Sequence, residues 1–226
     1  LKCVTERGWD DLSSLMYVYE DLGISINAGV VGEFLHNEDI AEDFAAYYDL
    51  YNKYRDDYGI NNILAGNATS DIYRRMINAD YDERLTVVNL LLDTLNKHFK
   101  YAAELKAYTD SWYKSIKEKI KAGEDEGAID KEKAEFSKQA EKLDSVEEQT
   151  LAKLENAFDF LEGSKQEISK EDIGKLDQEM LIFVTGLTTG KESSSFLLVN
   201  PCDRYKSYSA MYLKGGRRNQ LLKEMK

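Results

Sequence analysis

The chain has 226 residues, of which 42% are hydrophobic and 32% are charged, and its formal net charge at pH 7 is -12. This composition is typical of a folded protein with a sizeable core and excludes a disordered chain. The negative charge argues against a nucleic-acid partner, because binding to phosphates needs a positive surface.

Apolar residues at helical spacing predict helices along the N-terminal third of the chain. Three helices are expected there, over residues 9–22, 27–36 and 37–58. Gly23 and Gly59 are predicted to end the first and the third helix. A loop over residues 61–68 should then lead to a short helix that is capped by Thr69 or Ser70.

The middle of the sequence predicts a long antiparallel helical hairpin over about residues 81–162. Residues 81–122 contain neither glycine nor proline, and their apolar positions alternate at spacings of three and four. Asp80 is the expected N-cap of this first helix. A loop from Gly123 to Gly127 reverses the chain, and Asp130 is the expected cap of the second helix.

Towards the C-terminus, a helix is expected to begin near Ser169 or Asp172 and to continue to Leu187. The short apolar run Phe196–Val199 is predicted to be extended, and a last helix should begin near Asp203. No repeat or linker divides the chain. The predicted fold is therefore one all-α domain over residues 1–226, a helical bundle built on the hairpin, with a flexible basic tail over about residues 214–226.

The two cysteines, Cys3 and Cys202, stand almost at opposite ends of the chain. Together with a first residue other than methionine and the sequon that begins at Asn67, they favour a secreted, extracellular protein. A Cys3–Cys202 disulfide and a glycan on Asn67 are then expected, and two buried free thiols are the alternative. No apolar run approaches the ~20 residues of a membrane span, so none is expected.

No catalytic, cofactor-binding or metal-binding motif is recognised in the sequence. Only two histidines, His36 and His98, are present to serve a Ser–His or Cys–His site. Glu33 and His36 have the spacing of a di-iron ligand pair, but the second copy that such a site needs is missing. A non-enzymatic protein without cofactor or metal is therefore expected.

Tyrosines are unusually frequent, with 15 in the chain. One group falls on a single helical face: Tyr47, Tyr48, Tyr51 and Tyr54. These rings would suit a pocket for a flat or amine ligand, a protein interface, or a core whose hydroxyl groups reach water at its rim. All three interpretations are compatible with the sequence.

The end of the chain differs in charge from the rest. From Asp203 to Lys226 there are seven basic and two acidic residues. Lys214, Arg217 and Arg218 are therefore expected either to dock on the acidic body or to contact an anionic partner.

Four features of the sequence occur together: the start Leu1-Lys2-Cys3, the second cysteine in Asn200-Pro201-Cys202, the acidic helical body, and the basic end Lys214-Gly215-Gly216-Arg217-Arg218. In these features the chain resembles the secreted salivary proteins of blood-feeding mosquitoes, particularly their 34 kDa family. The resemblance implies a non-enzymatic protein that is injected into a host. It would modulate immune cells or haemostasis by contact with a host protein or a cell-surface receptor. The alternative function is a carrier of a small amine or lipid ligand with a tyrosine-lined pocket.

Overall fold

The computed structural model describes residues 4–163 and 176–212, and every regular element in these ranges is a helix. The all-α prediction is therefore confirmed for the described part of the chain. The chain forms two compact units, Leu1–Asp57 and Tyr58–Lys226. One domain over residues 1–226 stays a prediction.

The first unit contains α1 (Glu6–Leu22), α2 (Ala28–Leu35) and all but the last residue of α3 (Glu38–Tyr58). Their apolar faces meet in one core made of Leu12, Ile26, Val31, Leu35, Ala41 and Ala45. Helix α1 begins before the predicted residue 9, because the Thr5 side chain accepts a hydrogen bond of 3.1 Å from the Gly8 N–H and caps an extra turn. Gly23 ends this helix as predicted, in the left-handed conformation with φ 67°.

Helices α1 and α3 run in the same direction. The Trp9 and Phe44 rings meet edge to face at 5.3 Å, and Arg55 Nη1 donates to Glu20 Oε1 at 3.0 Å. Both pairs are separated by 35 residues, as parallel neighbouring helices require. These contacts place the flank of α3 that contains Phe44 and Arg55 against α1.

The second unit contains seven described helices: α4 (Ile60–Leu64), α5 (Ser70–Asn78), α6 (Tyr81–Ala122), α7 (Glu126–Glu162), α8 (Asp177–Thr189), α9 (Lys191–Val199) and α10 (Asp203–Tyr212). The predicted hairpin is confirmed by α6 and α7, which have 42 and 37 residues. Contacts along it occur in antiparallel order: Lys119 with Glu132, Trp112 with Phe136, Thr109 with Gln139, and His98 with Lys153. At ~1.5 Å per residue, α6 is about 60 Å long.

Aromatic side chains join the base of the hairpin to the shorter helices. Ring centroids lie 5.0 to 5.3 Å apart in three pairs: Tyr73 with Phe160, Phe99 with Phe196, and Phe158 with Phe183. A buried ion pair lies beside them, where Arg84 Nε donates to Glu179 Oε1 at 2.6 Å. Removal of Arg84 would leave the fully buried Glu179 carboxylate without its ion partner, which is strongly destabilising.

The structure corrects two predicted element types. The loop expected over residues 61–68 begins as helix α4, whose Ile60, Ile63 and Leu64 are buried at helical spacing. The run Phe196–Val199 is helical rather than extended: Phe196 and Leu197 are buried, whereas Leu198 and Val199 are exposed. Two consecutive buried residues followed by two exposed ones fit a helix and not the alternation of a strand.

One predicted boundary also differs. Helix α7 begins at Glu126 and not after Asp130, because Asp125 Oδ2 accepts from the Ala128 N–H at 3.0 Å and caps an earlier turn. This turn buries Ile129. The caps proposed at Ser169 and Asp172 and the tail over about residues 214–226 lie outside the described residues.

Candidate binding site

The tyrosines of α3 form a ladder of aromatic rings along the helix. The rings of Phe44, Tyr48 and Tyr51 follow one another with centroid separations of 6.4 Å and interplanar angles of 9° and 10°. Tyr47 joins the ladder at 6.1 Å from Tyr51. These separations lie within the range of favourable offset stacking, so the rings stabilise one another along the helix surface.

The inner side of this ladder belongs to the core of the first unit. Phe44 and Tyr48 are partly buried and pack against the core cluster. The core interpretation therefore applies to Tyr48, one of the four tyrosines chosen from the sequence.

The outer side of the ladder, which contains Tyr47, faces solvent and belongs to a longer row of side chains along α3. We define the α3 stripe as Ile40, Asp43, Tyr47, Leu50, Tyr54 and Asp57. Successive members are three or four residues apart, so they share one flank of the helix. The exposed fractions of Ile40, Tyr47 and Leu50 are 37%, 47% and 43%, whereas Tyr54 is half-buried. A run of apolar side chains is thus presented to solvent on a helix whose other flank is packed.

The charge on this helix is strongly negative. Helix α3 has seven acidic and two basic residues, and Asp43 and Asp57 of the stripe are both exposed. One of the two basic residues, Arg55, is engaged by Glu20 at 3.0 Å. The surface that α3 offers to a partner is therefore aromatic and acidic.

Tyr58, which follows the stripe in sequence, has a structural role in the second unit. Its buried hydroxyl donates to Glu83 Oε1 at 2.8 Å, and Arg75 Nε donates to the same oxygen at 2.9 Å. The Arg75 guanidinium also lies 4.7 Å from the centroid of the Tyr58 ring. Burial, followed by the hydrogen bond and charge of Glu83, raises the pKa of Tyr58 above its usual value, so this hydroxyl stays protonated.

The C-terminal helix is attached to α7 through Arg204. Its Nη1 donates to Asp159 Oδ1 at 2.6 Å, and its Nε lies 3.3 Å from Glu155 Oε2. Tyr208 donates to Glu162 Oε1 at 3.0 Å. Three carboxylates, those of Glu155, Asp159 and Glu162, thus lie within 4.0 Å of one guanidinium, and this ion-paired cluster attaches α10 to α7.

Cys202 lies beside this attachment, is buried, and has no disulfide partner among the described residues. Its Sγ–H donates to Glu155 Oε1 at 3.2 Å, and its sulfur accepts from the Tyr205 N–H at 3.3 Å. Burial raises the pKa of Cys202 to about 11, which makes the folded thiol a poor nucleophile. Cys3 lies outside the described residues, so the structure gives no support to the predicted disulfide, which stays a prediction.

The predicted glycosylation site is described by the structure, whereas the basic residues of the tail are not. Asn67 is exposed in the segment between α4 and α5, where a glycan would have access to it. Thr69 of the same sequon caps α5 through a contact of 3.4 Å from the Ile72 N–H to its Oγ1. Lys214, Arg217 and Arg218 lie outside the described residues.

Metal-binding clusters and membrane-spanning helices are both absent from the described ranges. No group of three or more His, Cys, Asp or Glu side chains that could hold a metal ion occurs among residues 4–163 and 176–212. Within the same ranges, no helix is both long and apolar enough to cross a membrane. His36 adopts the left-handed conformation at the end of α2, with φ 52°, which makes it a helix-terminating residue.

One contact in the second unit was not anticipated from the sequence. Lys153 Nζ lies 3.0 Å from Nε2 and 3.3 Å from Nδ1 of His98, across the hairpin. The sequence gave no indication that His98 faces another basic group.

No protein-family model matches the chain, and neither a curated protein nor a solved structure matches it. The similarity to mosquito salivary proteins is therefore a hypothesis supported only by the sequence features described above. The protein's own surface and charges are the basis for a functional proposal.

Proposed function

We propose that this is a non-enzymatic binding protein that works by protein–protein contact, and that the α3 stripe is its contact surface. The observation that supports this proposal is the exposure of Ile40, Tyr47 and Leu50 on one flank of a helix that is packed on another flank. Exposed apolar patches with a polar rim are typical of protein interaction sites, and tyrosine is enriched in them.

The ring geometry favours an interface over a ligand pocket. The exposed Tyr47 ring lies 6.1 Å from the Tyr51 ring along the same helix. A pocket for a flat ligand needs apolar walls that face each other across a space. Rings that follow one another along a single helix form a strip, and a strip suits contact with another extended surface.

The salivary resemblance suggests which partners to test first. We propose that the protein is secreted and that it contacts a host protein of haemostasis or the ectodomain of an immune-cell receptor. The Cys3–Cys202 disulfide and a glycan on Asn67 belong to the same proposal.

Site-specific photo-crosslinking tests the contact surface. A photoreactive phenylalanine analogue would replace Tyr47, and a control protein would carry it at Tyr101, which is exposed to the same degree (47% and 46%) but lies on α6. Each protein would be irradiated with a panel of purified host plasma proteins and receptor ectodomains. We expect a crosslink to one of these partners from position 47 and none from position 101.

A substitution in the stripe completes this test. Leu50→Glu places a charge in the apolar seam and should weaken binding to the crosslinked partner by about tenfold or more, as at other interface anchors. Surface plasmon resonance would measure the affinity, and circular dichroism would confirm that the helices are retained. Crosslinking from position 101 alone, or full affinity in Leu50→Glu, would contradict the proposal.

A further inference from the structure

We infer that the partner's contacting segment is a cationic amphipathic α-helix. This inference rests on the proposed function of the α3 stripe and adds the chemical class of its occupant. Three properties of the stripe carry it: the spacing of its members, its length and its charge.

The spacing of the stripe matches a second helix. Its positions alternate at separations of three and four residues from Ile40 to Asp57, which is the repeat by which two α-helices pack side by side. An extended strand would instead need contacts along a sheet edge, and α3 offers none. The stripe also spans nearly five turns, or about 25 Å at ~1.5 Å per residue. A partner helix of about 18 residues would cover it.

The sign of the charge on the partner follows from the acidic residues. The α3 stripe has Asp43 in its first half and Asp57 at its end, and both are exposed. The first unit as a whole has 13 acidic and four basic residues. An acidic partner would place like charges together, which costs several kcal/mol, whereas Lys and Arg beside the partner's seam would pair with these carboxylates.

The same charge disfavours other occupants of an exposed apolar helix face. Anionic lipid surfaces and nucleic acids both attract basic segments and would be repelled by this acidic surface. The Tyr47 ring, which is 47% exposed, would additionally suit cation–π contact with Lys or Arg. Spacing, length and charge therefore agree on a basic helical partner.

Synthetic peptides of about 18 residues would test this inference against the full-length chain. One peptide has leucines at helix-seam spacing flanked by lysines, a second has the same seam flanked by glutamates, and a third is a scrambled form of the first. Fluorescence anisotropy would measure binding. We expect only the first peptide to bind, and to bind more weakly as salt rises from about 50 mM to about 500 mM.

Two charge-reversed variants locate the binding. Asp43→Lys combined with Asp57→Lys reverses the charges of the stripe and should weaken binding of the lysine peptide by about tenfold or more. The matched control is Glu42→Lys combined with Asp49→Lys, which makes the same change of charge on another flank of α3. We expect the control to retain the affinity within about threefold, because its two substitutions lie away from the stripe. The net charge changes equally in both variants, so a larger loss in the stripe variant reports the position of the charges.

The outcomes separate this inference from the proposed function. Equal loss of affinity in both variants, or equal binding of the scrambled peptide, would show general charge attraction and overturn the inference. Failure of the lysine peptide to bind would also overturn it, whereas a crosslink from position 47 would still support protein binding by the stripe. Failure of both experiments would remove both proposals.

Discussion

His98 and Lys153 form an unusual contact, because two basic side chains face each other across the hairpin at 3.0 Å. Burial and then the charge of Lys153 lower the pKa of His98 below its usual value. Burial also lowers the pKa of Lys153. The neutral imidazole can accept a hydrogen bond from the lysine, whereas a protonated imidazole would repel it.

This contact predicts a specific loss of stability at acid pH. The pKa of His98 is lower in the folded chain than in the unfolded chain, where it is about 6.5. The contribution of neutral His98 to the free energy of unfolding is therefore fully present above about pH 6.5. It is lost as the pH falls towards the lower pKa that His98 has in the folded chain. The free energy of unfolding should fall by only a fraction of the ~1.4 kcal/mol that corresponds to one proton per pH unit, because solvent screens this half-buried group.

Urea unfolding at about pH 7.5 and pH 5.5 would measure this effect. The matched variant is His98→Gln, which retains a hydrogen-bond acceptor but does not titrate. Acidification should lower the free energy of unfolding more in the wild type than in His98→Gln, and all other titrating groups are shared by the two proteins. The same loss in both proteins would show that His98 is not responsible.

At the scale of the element, helices that pack closely require a residue without a side chain at positions that helical periodicity does not identify. A Cβ atom added to Gly8 of α1 would lie 2.7 Å from the backbone oxygen of Phe34 in α2. At Gly32 of α2, an added Cβ would meet only the Ala41 Cβ, at an ordinary 3.7 Å. Both glycines are helical and their φ values are negative, so they differ mainly in the space around them.

These two glycines make a matched pair for mutation. Gly8→Ala should destabilise the protein by about 1–3 kcal/mol, because a backbone atom cannot move aside as a side chain can. Gly32→Ala should stabilise it or leave it unchanged, with a gain of up to about 1 kcal/mol in helix propensity. Thermal unfolding followed by circular dichroism would compare them, and an equal effect of the two substitutions would contradict the packing described for α1 and α2.

Helix boundaries could be predicted where local chemistry decides them. Gly23, Gly59 and Asp80 occupy the terminal positions expected from the sequence, because a left-handed glycine or a capping carboxylate acts within one turn. Helices α4 and α9 were missed for the opposite reason. Each has a short apolar run, and burial against the rest of the second unit, rather than local preference, makes it helical.

At the scale of the whole molecule, the oxidation state of the two cysteines decides whether the two ends of the chain are linked by a disulfide. If both cysteines are free thiols, the buried Cys202 with its raised pKa should resist thiol reagents in the folded protein and should react after denaturation without reductant. The denatured wild-type protein would then have two reactive thiols, and Cys202→Ser and Cys3→Ser would each have one.

The predicted disulfide gives a different result in the same titration. If Cys3 and Cys202 are bridged, the denatured wild-type protein has no reactive thiol, and Cys3→Ser exposes one. A count of thiols in the denatured wild type, two or none, therefore decides between free cysteines and the bridge expected from the sequence.

The uneven distribution of charge is also a property of the whole molecule. The first unit has 13 acidic and four basic residues, although it contains only a quarter of the 226 residues. Self-repulsion of this kind lowers the stability of a small unit but favours encounter with a basic partner. This excess of negative charge belongs to the same unit that contains the α3 stripe, and the sequence did not indicate the boundary of that unit.

The sequence by itself determined the all-α class, the long hairpin and most helix ends, because helical periodicity and capping are local properties. It also identified the tyrosine face of α3. Tertiary structure alone decided that Tyr48 belongs to the core while Tyr47 and Leu50 face solvent, because burial depends on which flank of α3 meets α1. It likewise decided that Tyr58 binds Glu83 and that Lys153 faces His98, since both contacts join residues distant in the chain and no local rule specifies their approach.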